Sequence, residues 1–277
     1  MQFSKMHGQG NDFVIIDGLK EKVNNFSQLA QQICDRHFGI GADGLVILLP
    51  SQQADFTMRI FNSDGSEAEM CGNASRCVAR YVYEHGLTPK NKISLETLAG
   101  IIKPELLFEN DRVTSVRVDM GEPRLNRGEI PVTGDKNEKA INIPVQLENQ
   151  LFYGTCISMG NPHCIIFVDN VDAVDLTAIG PKIETAPLFP RKTNVEFVQV
   201  LNRHEVRMRV WERGAGITLA CGTGASATLA AAVLTTKTER RITVHLDGGD
   251  LAVEWGNDNH IYMSGPAQEV FRGEYPV

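Results

Sequence analysis

Apolar and polar residues alternate along most of this chain, and only a few stretches shift to the longer period of a helix. In the first half, short apolar or alternating runs predict strands at residues 13–16, 45–49, 56–61, 93–98 and 113–120, with a weaker one near Ile101. Turn-rich segments separate them: HGQGND at 7–12, GIGADG at 39–44 and SDGSE at 63–67. A helix is predicted over 28–37, with Ser27 as its cap, Leu29, Ala30 and Ile33 on one face, and Gly39 as its stop. A second helix follows Cys71-Gly72. It places Ala74, Cys77, Val78, Tyr81 and Val82 on one face, with Arg76, Arg80 and Glu84 opposite, and Gly86 ends it.

The second half repeats the order. Strands are predicted at 151–158, 164–168, 194–200, 205–211, 241–245, 251–255 and 261–264. Residues 175–184 read as a helix broken around Gly180-Pro181. Residues 225–234 are apolar nearly all round, so that helix should be enclosed on every side.

The likeness extends to individual positions. A shift of 150 positions lays RIFNSDGSEAEMCGNASRCVARYV (59–82) on RVWERGAGITLACGTGASATLAAA (209–232) without a gap. Cys71 then falls on Cys221, Gly72 on Gly222, Asn62 on Glu212 and Gly44 on Asn194, and Gly10-Asn11 falls on Gly160-Asn161. The pattern predicts an α+β fold of two pseudo-symmetric domains, each many-stranded around one central helix. The first would span 1–119, with 266–277 returning to it, and the second 120–265.

Composition narrows the function classes. Of 277 residues, 42% are apolar, and the net charge is −7. That charge, with no stripe of Lys and Arg, argues against nucleic acid as a partner. No apolar run is long enough to span a bilayer, and the N-terminal residues lack the apolar core of a signal peptide, so the expectation is a soluble cytoplasmic protein without a membrane partner. The six cysteines include no C-x-x-C pair, which speaks against a zinc ribbon or a thioredoxin-type redox enzyme. Cys34, Cys77, Cys156 and Cys164 fall at core positions.

Cys71 and Cys221 are different. Each stands at the mouth of a helix, where free N–H groups and the positive end of the macrodipole favour a thiolate. Each is followed by a glycine and then by a residue of capping type, Asn73 or Thr223. The same N–H groups could hold a carboxylate. Two equivalent thiols suggest one site built from two halves, and inversion of a stereocentre needs such a pair, one to remove a proton and one to return it from the other face. Asn11, Asn62, Asn161 and Asn194 share this register. Glu212-Arg213 could hold the ammonium and carboxylate of a zwitterion, and His163 is a candidate proton relay, with His7 a weaker one. No dinucleotide loop, P-loop or prominent Schiff-base lysine is present, leaving a cofactor-free and metal-free mechanism open.

These motifs resemble the diaminopimelate epimerase family throughout. The matching stretches are MHGQGNDFVIID at 6–17, DRHFGIGADG at 35–44, FNSDGSEAEMCGNASRC at 61–77, MGEP at 120–123, SMGNPHC at 158–164, FPRKTNVEFVQV at 189–200 and WERGAGITLACGTGA at 211–225. The resemblance implies cofactor-independent interconversion of LL- and meso-2,6-diaminopimelate, a step toward lysine and peptidoglycan. It implies two domains, each a curved, mostly antiparallel sheet wrapped round a helix, and a homodimer. It also implies roles: Cys71 and Cys221 as the acid/base pair, assisted by His163 and Glu212. Asn11, Asn62, Asn161, Asn194, Glu212 and Arg213 would contact substrate, and Gly72-Asn73 and Gly222-Thr223 would cradle carboxylates. Three positions depart from the family pattern: Gly44 replaces a glutamine found in some members, Ala74 a common glycine, and Phe271 a tyrosine at a dimer contact. The competing readings are a proline or hydroxyproline racemase of the same architecture and an amino-acid-binding protein without catalysis.

Overall fold

The computed structural model describes residues 1–21, 24–147 and 150–276. The chain forms two compact units, Met1–Asp119 with Ser264–Val277, and Met120–Met263. In the first unit, β1 (Gln2–Gly8) and β2 (Asn11–Asp17) form a hairpin. Both turn residues, Gln9 and Gly10, have positive φ (55° and 83°), the twist that matches a tight hairpin. Then come α1 (Phe26–Ile33), β3 (Gly44–Leu49), β4 (Phe56–Asn62), β5 (Glu67–Ala68) and α2 (Gly72–Glu84). Strands β6 (Leu95–Thr97), β7 (Gly100–Ile102), β8 (Glu105–Glu109) and β9 (Arg112–Asp119) complete this run.

The sheet order is β1-β2-β3-β4-β6-β7, with β5 on β4. Its pairs are antiparallel except β2–β3 and β4–β6. Parallel neighbours need a crossover, and each of these pairs has one, α1 for the first and α2 for the second. Both faces of the sheet are therefore covered. Phe13, Ile15, Val46 and Ile60 pack on the α2 side with Cys77, Val78 and Tyr81, joined by Leu106, Val113 and Val116 of the β8–β9 hairpin. Val14, Ile16, Leu45 and Ile47 point the other way, onto Leu29, Ala30 and Ile33 of α1. This is why FVII and LVIL are continuous apolar runs.

Three details of the sequence reading change here. Asn25, not Ser27, caps α1 by accepting from the Gln28 N–H at 3.3 Å. The helix stops at Ile33 rather than at residue 37, because the Asp35 carboxylate takes the N–H groups of His37 and Phe38 (2.7 and 2.8 Å) in a competing turn. Arg76, expected on the outer face of α2, is fully buried, with its guanidinium donating to Gln9 Oε1 at 2.6 Å.

The second unit carries β10 (Ile143–Gln146), β11 (Leu151–Ser158), β12 (Pro162–Phe167), α3 (Leu176–Glu184), β13 (Asn194–Asn202) and β14 (Glu205–Glu212). It continues with β15 (Gly216–Ile217), α4 (Gly222–Leu234), β16 (Arg241–Leu246), β17 (Gly249–Trp255) and β18 (Ile261–Gly265). Its strand order is β10-β11-β12-β13-β14-β16-β17-β18. The repeat seen in sequence is reproduced in strand register. Phe13 pairs with Gly44 and His163 with Asn194; Leu45 pairs with Phe61 and Val195 with Trp211. The parallel pairs β12–β13 and β14–β16 are again each spanned by a helix. In α4, residues 224–232 are all buried, as the all-round apolar pattern required. Strand β19 (Gln268–Glu274) then pairs antiparallel with β1, extending the sheet of the first unit.

Helix α3 is not broken at Gly180-Pro181 but runs through both. Asp175 caps it through the Ala178 N–H at 3.1 Å, and Glu184 accepts from the Trp211 indole N–H at 2.7 Å. Those anchors offset the one backbone bond that proline removes. Gly180 lies flat on the indole: a Cβ there would stand 2.5 Å from Trp211 Cγ. Gly180→Ala is therefore expected to destabilise the second unit by about 1–3 kcal/mol through overpacking, despite alanine's better helix propensity; urea denaturation would reveal it as a lower midpoint.

Candidate active site

Cys71 and Cys221 occupy the same structural position in their units, the residue before the first helical one. Cys71 is extended (φ −145°, ψ 119°) and so is Cys221 (φ −128°, ψ 108°). The first backbone bonds of the two helices are Ser75 N–H to Cys71 O and Ala225 N–H to Cys221 O, both 2.9 Å. The amides of Gly72 and Asn73, and of Gly222 and Thr223, precede those bonds and so have no partner within their helices. Asn73 and Thr223 are thus second helical residues rather than caps, because the extended cysteine takes the cap position itself.

Around Cys71 the side chains converge on Asn11. Its Oδ1 accepts from Asn73 Nδ2 at 2.9 Å and faces Cys71 Sγ at 3.8 Å, while its Nδ2 donates to Asp43 at 2.8 Å. Asn73 is 4% exposed, and its Oδ1 is buried without a partner among the described residues. Asp43 and Asp12 are tied together by Arg36, and Asp12 also pairs with Lys5 at 2.7 Å. Burial raises the Asp12 carboxyl, but hydrogen bonds from Arg36 and Lys5 overcome that and hold it at about 2. Asn62 is exposed and donates to Ser66 Oγ at 2.9 Å. Gly44 pairs with Asn62 across the sheet, and a Cβ at Gly44 would stand 2.9 Å from Phe61 O. His7 accepts from the Gly10 N–H at 3.3 Å, bracing the β1–β2 turn. Ala74 is fully buried, and Phe271 meets Phe3 edge-on at 5.9 Å.

Around Cys221 the groups are closer and more acidic. Its Sγ accepts from the Gly224 N–H at 3.3 Å and lies 3.5 Å from Thr223 Oγ1. Thr223 also accepts from Asn161 Nδ2 at 3.3 Å, and Asn161 Oδ1 faces His163 Nε2 at 3.0 Å. The other ring nitrogen, Nδ1, meets Glu196 Oε1 at 2.6 Å, with both side chains wholly buried. Glu212, held by the Thr218 hydroxyl, is pushed up mainly by burial. Asn194 is 3% exposed, with both amide atoms engaged: Nδ2 donates to Pro162 O and Oδ1 accepts from the Arg213 N–H, each at 2.8 Å. The Arg213 guanidinium is exposed and reaches Arg191 O at 3.1 Å.

The helix N-terminus was expected to ease ionisation of both thiols. For Cys221 the balance goes the other way. Burial first, then the charges of Glu212 and Glu196, push it well above the ordinary cysteine value, against the smaller pull of Thr223 and the Gly224 N–H. Burial also raises Cys34 and Cys77 to about 12, and Cys164 is raised by its hydrogen bond to Cys156 and by burial. His163, Glu196 and Cys221 bring donor atoms within 4.8 Å of one another, a spacing a metal ion can use. The 2.6 Å contact between His163 and Glu196 is, however, a direct hydrogen bond with a proton in it. Glu196 is the residue that pattern reading missed. Its signal was a single acid in the middle of the buried run NVEFV.

The diaminopimelate epimerase family pattern matches residues 3–126 and 155–270. The chain belongs to the diaminopimelate epimerase family. The diaminopimelate epimerase of Pelotomaculum thermopropionicum is 60% identical over 278 aligned positions, covering 100% of this chain and 99% of that one. That of Moorella thermoacetica is 57% identical, covering 100% of both. Among solved structures, a PhzF-family phenazine biosynthesis protein of Bacillus anthracis superposes with a TM-score of 0.72 at 15% identity, covering 100% of this chain and 99% of that one. A hydroxyproline epimerase from Agrobacterium vitis gives 0.69 at 16%, covering 99% and 90%. These two establish the shared fold alone.

The Asp12 network yields a pH prediction. Its carboxyl is depressed in the folded state from 3.8 to about 2, so its stabilisation is present above 3.8 and is lost as pH falls toward 2. Asp12→Asn should lower the thermal midpoint at neutral pH and flatten its decline over that acid range. A scanning-calorimetry series in pH would show the two proteins converging at the acid end.

Proposed function

We propose that this protein is a diaminopimelate epimerase, interconverting LL-2,6-diaminopimelate and the meso isomer on the route to lysine and peptidoglycan. The carrying observation is the pair of cysteines, each capping an equivalent helix at the same register, in a chain of this family. In this reading one sulphur, as thiolate, removes the α-proton and the other, as thiol, delivers a proton to the opposite face. Each helix contributes open amides for a carboxylate, which also stabilise charge that develops during proton transfer. Both proton carriers are protein thiols, so the reaction as proposed needs neither pyridoxal phosphate nor metal.

The remaining candidates take roles around that step. Asn11 and Asn161 stand beside the thiol-bearing turns, tied to Asn73 and Thr223, and would contact substrate through the second N–H of each amide. Glu212 and the exposed Arg213 would bind the ammonium and a carboxylate, with Asn62 at the position matching Glu212 in the other half. Asn194 would act by fixing the Arg213 backbone, given that both its amide atoms are engaged. His163 and Glu212 would assist Cys221.

We place the enzyme in the cytoplasm as a homodimer. Among the described residues, no helix is long and apolar enough to cross a membrane. Strand β19 ends its sheet, with Val270 57% and Phe271 47% exposed, a surface suited to a second copy. Phe271→Glu should shift the elution volume in size-exclusion chromatography toward a monomer.

Two measurements test the chemistry. In deuterium oxide, the enzyme without added cofactor should incorporate deuterium at Cα of LL-diaminopimelate; absence of exchange would overturn the assignment. Cys71→Ala and Cys221→Ala should each lower epimerisation by at least about 10²-fold, the scale of a lost acid/base group. Ordinary turnover in either variant would exclude a two-thiol mechanism.

A further inference from the structure

The two units differ at one place where the repeat would keep them alike. In the first unit, Phe13 and Val46 lie on adjacent parallel strands in a hydrocarbon core. Their counterparts in the second, at the same shift of 150 and on the matching strand pair, are His163 and Glu196. Both are wholly buried. A buried ion pair gives little or no stability over apolar packing, and the sister unit shows that apolar residues fit this position. The pair is better explained by the thiol beside it, since ionisable groups so placed cluster at functional sites.

Its hydrogen bonds fix where a proton must be. His163 Nδ1 faces the Glu196 carboxylate, and Nε2 faces Asn161 Oδ1, whose amide nitrogen donates to Thr223. Asn161 Oδ1 can only accept, so Nε2 carries a proton whichever partner holds the one shared by Nδ1 and Glu196. The second Glu196 oxygen is buried with no partner among the described residues, and a Cβ on Gly224 would stand 2.7 Å from Oε1. The carboxylate is thus seated against the first turn of α4, beside Cys221.

We propose that Glu196 is a positioning residue for Cys221: by binding His163 Nδ1 it holds the imidazole with its Nε2–H on Asn161 Oδ1, and so keeps Asn161 and Thr223 in place beside the sulphur. Glu196 acts through its neighbours and touches no substrate. The inference rests on the epimerase reading for its kinetic consequence but not for its structural one.

The test uses the full chain labelled with [15N]histidine, with His163→Asn to assign the signals. Wild-type His163 should show a protonated Nε2 and a low-field Nδ1 proton. Glu196→Gln preserves shape but removes charge; it should move the low-field proton upfield and lower kcat about 10- to 100-fold, part of what a positioned acid/base group contributes, with KM nearly unchanged. A folded Glu196→Gln enzyme with wild-type kcat would overturn the proposal, as would a bare Nε2 in the wild-type spectrum. Should the variant fail to fold, the wild-type nitrogen shifts still decide. Failure of the wild type to exchange the α-proton of diaminopimelate would instead refute the epimerase reading and leave the histidine result standing.

Discussion

A helix enclosed by protein on all sides must still resolve the polar groups of its first turn. In α4 that constraint governs the second unit. Residues 224–232 are all buried, so the helix gains its stability from apolar contact around its whole circumference. Its N-terminal amides cannot be satisfied by helical bonds. One, from Gly224, is met by the Cys221 sulphur, and those of Gly222 and Thr223 precede the first helical bond. The fold therefore concentrates its unsatisfied hydrogen-bonding capacity, and its reactive atom, at one point.

The strand pattern around that point was legible because the pairing rules are local. FVII and LVIL announce strands covered on both faces, and the repeat between 59–82 and 209–232 reappears in strand register. What escaped depended on contacts distant in sequence. Nothing near Gly180-Pro181 says that Trp211 lies beneath it. Arg76 reads as a solvent-facing residue until Gln9 and the Pro266 carbonyl are seen to receive its guanidinium. The candidate cysteines and their flanking glycines stood out by repetition. Glu196 did not, since it comes beside Cys221 only where α4 packs on β13.

The surroundings of the two cysteines also diverge electrostatically. Asn11 is held in a mesh of opposite charges, Lys5, Asp12, Arg36 and Asp43, that is largely neutral in sum. Asn161 is held by His163 and Thr223, with Glu196 and Glu212 close to the sulphur. Equivalent backbone has thus been given unequal surroundings. An enzyme acting on a carbon with two different faces has no reason to keep its two acid/base groups identical at rest.

Strand β19 carries a consequence for how the chain assembles. Its partner β1 lies in the first turns of the sequence, so the sheet of the first unit encloses the whole second unit as a loop between its outer strand and the rest. The second unit is contiguous, and its strands β10–β17 pair with one another and, at the end, with β18. During synthesis its residues emerge before β19 exists. The first unit must then wait with the outer edge of β1 unpaired, an aggregation-prone edge. The unit that begins the chain is the one whose sheet is completed by the last strand to be made.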